Sequence, residues 1–120
     1  MVISETFSKA GFCPVVHNPQ FKCAFITHSA QYADCAVGAM KQHNDTDEVF
    51  VLLEGSATLF TCEDIAQKPK SCPLDCKTAY TVTAGTWHYL AVSEDAVLFV
   101  AESGAMKPEN TKISPAVVLK

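Results

Sequence analysis

The sequence predicts an all-β fold, a sandwich or barrel of eight short strands. Val, Ile and Thr supply 26 of the 120 residues, and their branched Cβ atoms suit a pleated strand better than a helix. Short apolar runs recur between turn signals along most of the chain. No run of about 12 residues keeps an apolar i, i+3, i+4, i+7 pattern, so no major helix is expected. The 48% apolar content is enough to build a packed core and excludes disorder as the general state of the chain.

Taken in order, the N-terminal stretch carries at most a turn or two of helix near Ser4 to Ala10. The strands then run Phe21 to Thr27, Cys35 to Gln42, Glu48 to Leu53, Ser56 to Cys62, Ala79 to Thr83, Trp87 to Val92, Ala96 to Glu102 and Ala116 to Leu119. Glu54-Gly55 between the third and fourth reads as a hairpin turn, because Gly accepts the positive φ that a tight turn demands. A second hairpin is expected at Ser93-Glu94-Asp95. Glu63 to Lys77, with Pro69, Pro73 and three Lys, reads as a long loop. Ser103 to Asn110 is a second break, one that lets the last strand, within Pro115 to Leu119, cross to a neighbouring chain.

Side chains alternate along a strand, so Glu48, Phe50 and Leu52 share one face while Val49, Val51 and Leu53 share the other. Both faces are apolar and both must be covered, one by the barrel interior and the other by a second sheet or a partner chain. Only 18% of residues are charged, below the roughly 25% of typical domains. Together with the doubly apolar strand and the detachable C-terminal segment, this predicts a homodimer.

The net charge of -4 excludes a phosphate-backbone binder, which needs clustered Lys and Arg. The longest apolar run, Ala96 to Ala101, has six residues against the roughly 20 that cross a bilayer. No basic-then-apolar leader opens the chain, and the reading is a cytoplasmic protein with neither nucleic acid nor membrane as partner. In that compartment the six Cys are expected as free thiols. Cys62, Cys72 and Cys76 lack the paired C-x-x-C spacing of a zinc knuckle. Cys35 reads as a small apolar residue rather than a nucleophile, and His17 and His28 as surface or hydrogen-bonded side chains.

The run from Lys41 to Gly55 and the later Gly85-Thr86-Trp87-His88 carry the chemistry. His43 to Glu48 leaves four residues between, Glu48 to Gly55 leaves six, and Gly85 to His88 leaves two. This spacing resembles the two motifs of the cupin superfamily, over about residues 35–102. The resemblance implies a single domain, 1–120, folded as a cupin-type double-stranded β-helix, a jelly-roll barrel with a small-molecule ligand inside. It implies His43, Glu48 and His88 as ligands of one divalent metal, Fe, Mn, Ni or Zn. Two imidazoles and a carboxylate from separate strands suit such ions and leave open positions.

The first motif His falls at position 41, where this chain has Lys41. Two readings follow. Either Lys41 pairs directly with Glu48 in a metal-free binding barrel, or the three remaining ligands hold the metal while Lys41 anchors an anionic substrate over Phe50. In the second, the protein is a metal-dependent oxygenase, isomerase or lyase; in the first, it binds a metabolite or carbohydrate without catalysis. The Gly-x-Trp-His run is also similar to that of ureidoglycolate lyases, a further alternative. Asp45 fits the ligand spacing less well than His43. No catalytic residue is assigned.

Overall fold

A computed structural model describes all residues, 1–120. Ten strands form two five-stranded sheets. They are β1 (Phe12–His17), β2 (Phe21–Thr27), β3 (Val37–His43), β4 (Glu48–Glu54), β5 (Ala57–Cys62), β6 (Lys70–Pro73), β7 (Ala79–Val82), β8 (Trp87–Val92), β9 (Val97–Ser103) and β10 (Thr111–Val118). One sheet has the order β1-β2-β9-β4-β7 and the other β10-β3-β8-β5-β6. Neighbours within each sheet run antiparallel, and the two sheets make a jelly roll.

This topology corrects the two expected hairpins. β4 and β5 flank a turn at Gly55, yet they lie in opposite sheets, as do β8 and β9 across the turn that follows Ser93. Each turn lifts the chain from one sheet to the other. The two turns pack together: Ser56 N–H donates to Ser93 Oγ at 2.9 Å and Ser93 N–H donates to the Ser56 carbonyl at 2.9 Å. Two strands were not foreseen, β1 and β6, the latter inside the stretch read as a loop. The last strand starts at Thr111, ahead of the proline at 115, and no helix forms at Ser4 to Ala10. Short 3-10 turns at Ala30–Tyr32 and Pro108–Asn110 are the helical content.

Alternation on β4 is as expected, with Glu48, Phe50 and Leu52 buried between the sheets. Ala24 and Ile26 of β2, Leu98 and Val100 of β9, Leu59 of β5 and Leu90 of β8 join them in the core. This packing fills one end of the sandwich. A second cluster, Met40, Phe60, Cys62, Ala91 and Leu119, covers the outer face of the β3-β8-β5 sheet from within the chain, with Trp87 packed against it. On the opposite outer face Phe7 reaches from the N-terminal segment to Phe25, centroids 5.3 Å apart, and Phe25 meets Phe99 at 5.5 Å. No helix is long and apolar enough to cross a membrane.

Candidate metal centre

The end of the sandwich that the core leaves unfilled is a cavity of about 770 Å³, within the size range of small-molecule sites. Its walls are set by strand register. On one sheet Lys22, Glu102 and Glu48 are successive cross-strand partners on β2, β9 and β4. On the other Ile113, Lys41 and His88 are partners on β10, β3 and β8, with Thr111 beside His43. All of these residues line the cavity, with Phe50 and Leu90 where it meets the core.

Three of the expected residues meet. Ligand atoms of His43, Glu48 and His88 all lie within 4.8 Å of one another. Glu48 Oε1 is 3.3 Å from His88 Nε2 and 3.7 Å from His43 Nε2. The far side of each ring is tied down. His88 Nδ1 lies 3.1 Å from the Thr86 carbonyl, which only accepts, so Nδ1 carries the proton and Nε2 presents its lone pair in the neutral ring. His43 Nδ1 lies 2.9 Å from Thr111 Oγ1, whose hydroxyl turns toward Met106 Sδ at 3.9 Å. With Nδ1 donating to that hydroxyl, His43 Nε2 offers a second lone pair. Burial, helped by the charges of His88 and Lys41, holds the His43 pKa below its usual value against the pull of Glu48.

Two neutral nitrogens and a carboxylate oxygen thus aim their lone pairs at one point, a repulsive arrangement unless a cation or proton stands among them. Outer hydrogen bonds to Nδ1 are the usual means of orienting metal-binding imidazoles. The residues therefore fit a divalent metal. Burial pushes the Glu48 carboxyl up, but when protons rather than a cation stand among the three groups, the hydrogen bond from His88 and the charges the imidazoles then carry outweigh it and keep the carboxylate ionised.

Lys41 lines the cavity as its strand parity requires, but it forms no ion pair with Glu48. The basic partners of Glu48 are the two imidazoles, and the chain's lysine ion pairs are Lys22 with Glu102 and Lys120 with Asp34. The expected Lys41–Glu48 contact is thus corrected. β3 delivers position 41 opposite His88 on the other sheet from Glu48, and the imidazoles fill the space around the carboxylate. Phe50, 3% exposed, forms the cavity floor with its ring 6.2 Å from that of His88. Asp45 lies outside on an exposed turn, hydrogen-bonded by Asn110. His17 is exposed, the six thiols are free, and Cys35 lines the cavity but stands outside the His43, Glu48 and His88 cluster.

Two cavity residues were missed. Glu102 faces Glu48, and burial first, then the Glu48 charge, push its pKa up to about 7 against the pull of Lys22. Lys22 Nζ stands 3.5 Å from Glu102 Oε1 and 5.4 Å from the Phe12 ring centroid. The signal for Glu102 was its parity: it shares the inward face of β9 with Leu98 and Val100.

No protein-family model and no curated protein matches the sequence. Solved structures do match the fold. BH2720 from Bacillus halodurans is similar at a TM-score of 0.67 and 14% identity, over 89% of this chain and 79% of that one. A cupin-2 domain containing protein from Shewanella frigidimarina is similar at 0.59 and 16% identity, over 81% and 84%. FeII HppE is similar at 0.61 and 18% identity, over 76% of this chain and 48% of HppE. The fold is that of the cupins. The jelly roll makes the chain a cupin-fold protein, and its inward His/Glu cluster could hold a metal ion.

Proposed function

We propose that the protein is a metal-dependent enzyme of the oxygenase, isomerase or lyase type acting on a small anionic metabolite. The observation that carries this reading is the convergence of two tethered imidazole nitrogens on Glu48. His43, Glu48 and His88 hold one divalent metal, with Fe(II) favoured over Mn, Ni and Zn by the two-His, one-carboxylate donor set and by the likeness to FeII HppE. When bound, the ion supplies Lewis acidity at a substrate oxygen and open positions for substrate or water. Lys41, free of any carboxylate partner, binds the substrate's anionic group from the opposite sheet. Phe50 packs against its apolar part at the floor, and the apolar wall behind excludes water and strengthens each polar contact.

The metal-free alternative rested on a Lys41–Glu48 pair and loses its support with that pair. Elemental analysis of protein purified without a histidine tag tests the metal reading: about one transition metal per chain is expected. Protein that carries none and takes up none of Fe(II), Mn(II), Ni(II) or Zn(II) in titration overturns it.

The molecule works as a homodimer in the cytoplasm. Exposed Leu53, Val16 and Phe21 on the sheet that carries Glu48 favour a partner surface that Phe7 covers only in part, and six thiols without a disulfide suit a reducing compartment. Sedimentation at micromolar concentration reads the oligomeric state; a monomer there refutes the dimer.

A further inference from the structure

We propose that Glu102 is a fourth protein donor to the metal, supplying the coordination that Lys41 does not give and a negative charge that offsets the lysine; this rests on the metal reading above. Glu102 and Glu48 are direct cross-strand partners on the inward face of one sheet. The Glu102 side chain is only 4% exposed, and its Oε2 is buried without a hydrogen-bond partner. Like charges directly opposite on a sheet repel, and a buried polar atom left unpaired is costly. Lys22 answers only part of this: at 3.5 Å it sits beyond the range of a strong charge-assisted bond, about 2.7–2.9 Å, and it faces Oε1. In the metal-free chain a proton shared with Glu48 can answer the pair, and a bound cation would take its place at the orphaned Oε2.

The charge balance of the site points the same way. A neutral imidazole at position 41 would leave one carboxylate facing a divalent ion. Lys41 instead adds a positive charge on the cavity wall, which repels that ion. A second carboxylate restores the balance, and Glu102 is the buried carboxylate beside Glu48. With the ion neutralised by two carboxylates, Lys22 and Lys41 remain as the positive charge that receives an anionic substrate. The Glu102 carboxylate stands outside the 4.8 Å cluster of the other three donors, so ligation requires it to turn inward about its side-chain torsions, away from Lys22.

Co(II) binding by the metal-free full chain tests this, with titration calorimetry for affinity and the visible d–d absorption for the donor set. Glu102→Gln keeps the shape, and is expected to weaken Co(II) binding by about tenfold or more and to shift the absorption band. Glu102→His, which restores a donor, is expected to recover most of the affinity with a band of its own. Wild-type affinity and an unchanged band in Glu102→Gln overturn the proposal. Weaker binding with an unchanged band also overturns it, since Glu102 would then only orient Glu48. Failure of the wild-type chain to bind Co(II) overturns the metal reading itself, an outcome distinct from the other two.

Discussion

Replacing Gly55 by Ala is expected to destabilise the fold through two separable costs. Gly55 has φ +74°, where an L-residue costs about 1–2 kcal/mol. A Cβ there would also lie 2.6 Å from Ala96 Cα, 2.8 Å from Ala96 N and 2.8 Å from Ser93 Oγ. Two of those atoms are backbone and cannot rotate away, so the two turns that cross between the sheets must separate, a form of overpacking worth about 1–3 kcal/mol. The sum, about 2–5 kcal/mol, is a large share of the roughly 5–15 kcal/mol available to a domain. Gly85 is the natural control. Its φ is +86° but nothing lies within 4 Å of its Cβ position, so Gly85→Ala meets only the first cost. Urea denaturation followed by the fluorescence of Trp87, the single tryptophan, reads both. With a slope of about 1–3 kcal/mol per molar, the Gly55→Ala midpoint should fall by about 1 M or more, and visibly further than that of Gly85→Ala. Equal midpoints for the two variants would refute the claim that the Ala96 contact, and not backbone conformation alone, fixes glycine at position 55.

Thr111→Val removes the hydroxyl that holds His43 Nδ1 while leaving the backbone pairing of β10 with β3 in place. Metal affinity measured by calorimetry should drop by about 10–100-fold, and an unchanged affinity would mean that His43 is oriented by something else. For the metal-free protein, Glu102 gives a pH signature. Its folded-state pKa, about 7, lies above the ordinary value of 4.5, so its contribution to stability is whole at low pH and is lost as pH rises through that window. Glu102→Gln should therefore gain on the wild type between pH 5 and pH 8, by on the order of 2–3 kcal/mol at one pKa unit per 1.36 kcal/mol. Thermal or urea unfolding in the presence of a chelator measures it, and a pH-independent difference would sink the argument.

The strands that the sequence made legible are those with an apolar run that is at least partly buried. Phe21–Thr27 and Trp87–Val92 have the bounds expected of them, and β4 has the expected inward set of Glu48, Phe50 and Leu52. β6 was hidden because all four of its residues are exposed, which leaves no apolar rhythm to read. β1 and the first half of β10 were hidden by proline. Pro14 and Pro115 sit beside register breaks in edge strands, the places where a missing N–H is tolerated. Pairing was misread at Gly55 and after Ser93 for a different reason. A tight turn between two apolar strands looks the same whether the strands pair or part to opposite sheets. What separates the cases is the partner on the far side, here β9 and β7 for β4 and β8 and β6 for β5, and no local spacing encodes it.

The same limit explains the site. His43, Glu48 and His88 were found because they sit at fixed distances along the chain from glycines that fold the turns around them; Gly85 N–H donates to the His43 carbonyl and Gln42 Nε2 donates to the Gly85 carbonyl, both at 2.8 Å. Motif and scaffold are one set of contacts, so the motif survives in sequence. Lys41 was readable as a departure, but its standing without a carboxylate partner was not, because the surroundings of a flexible cation are set in space and not along the chain. Glu102 lies 54 residues from Glu48 in number and is its neighbour only through sheet register. A position that loses a neutral ligand for a lysine changes the charge of the whole cavity, and the compensating residue can come from any strand whose inward parity reaches it. On that account the departure at position 41 and the carboxylate at position 102 are one electrostatic change, and they should be exchanged together: Lys41→His with Glu102→Gln should bind a divalent metal more nearly like the wild type than Glu102→Gln alone.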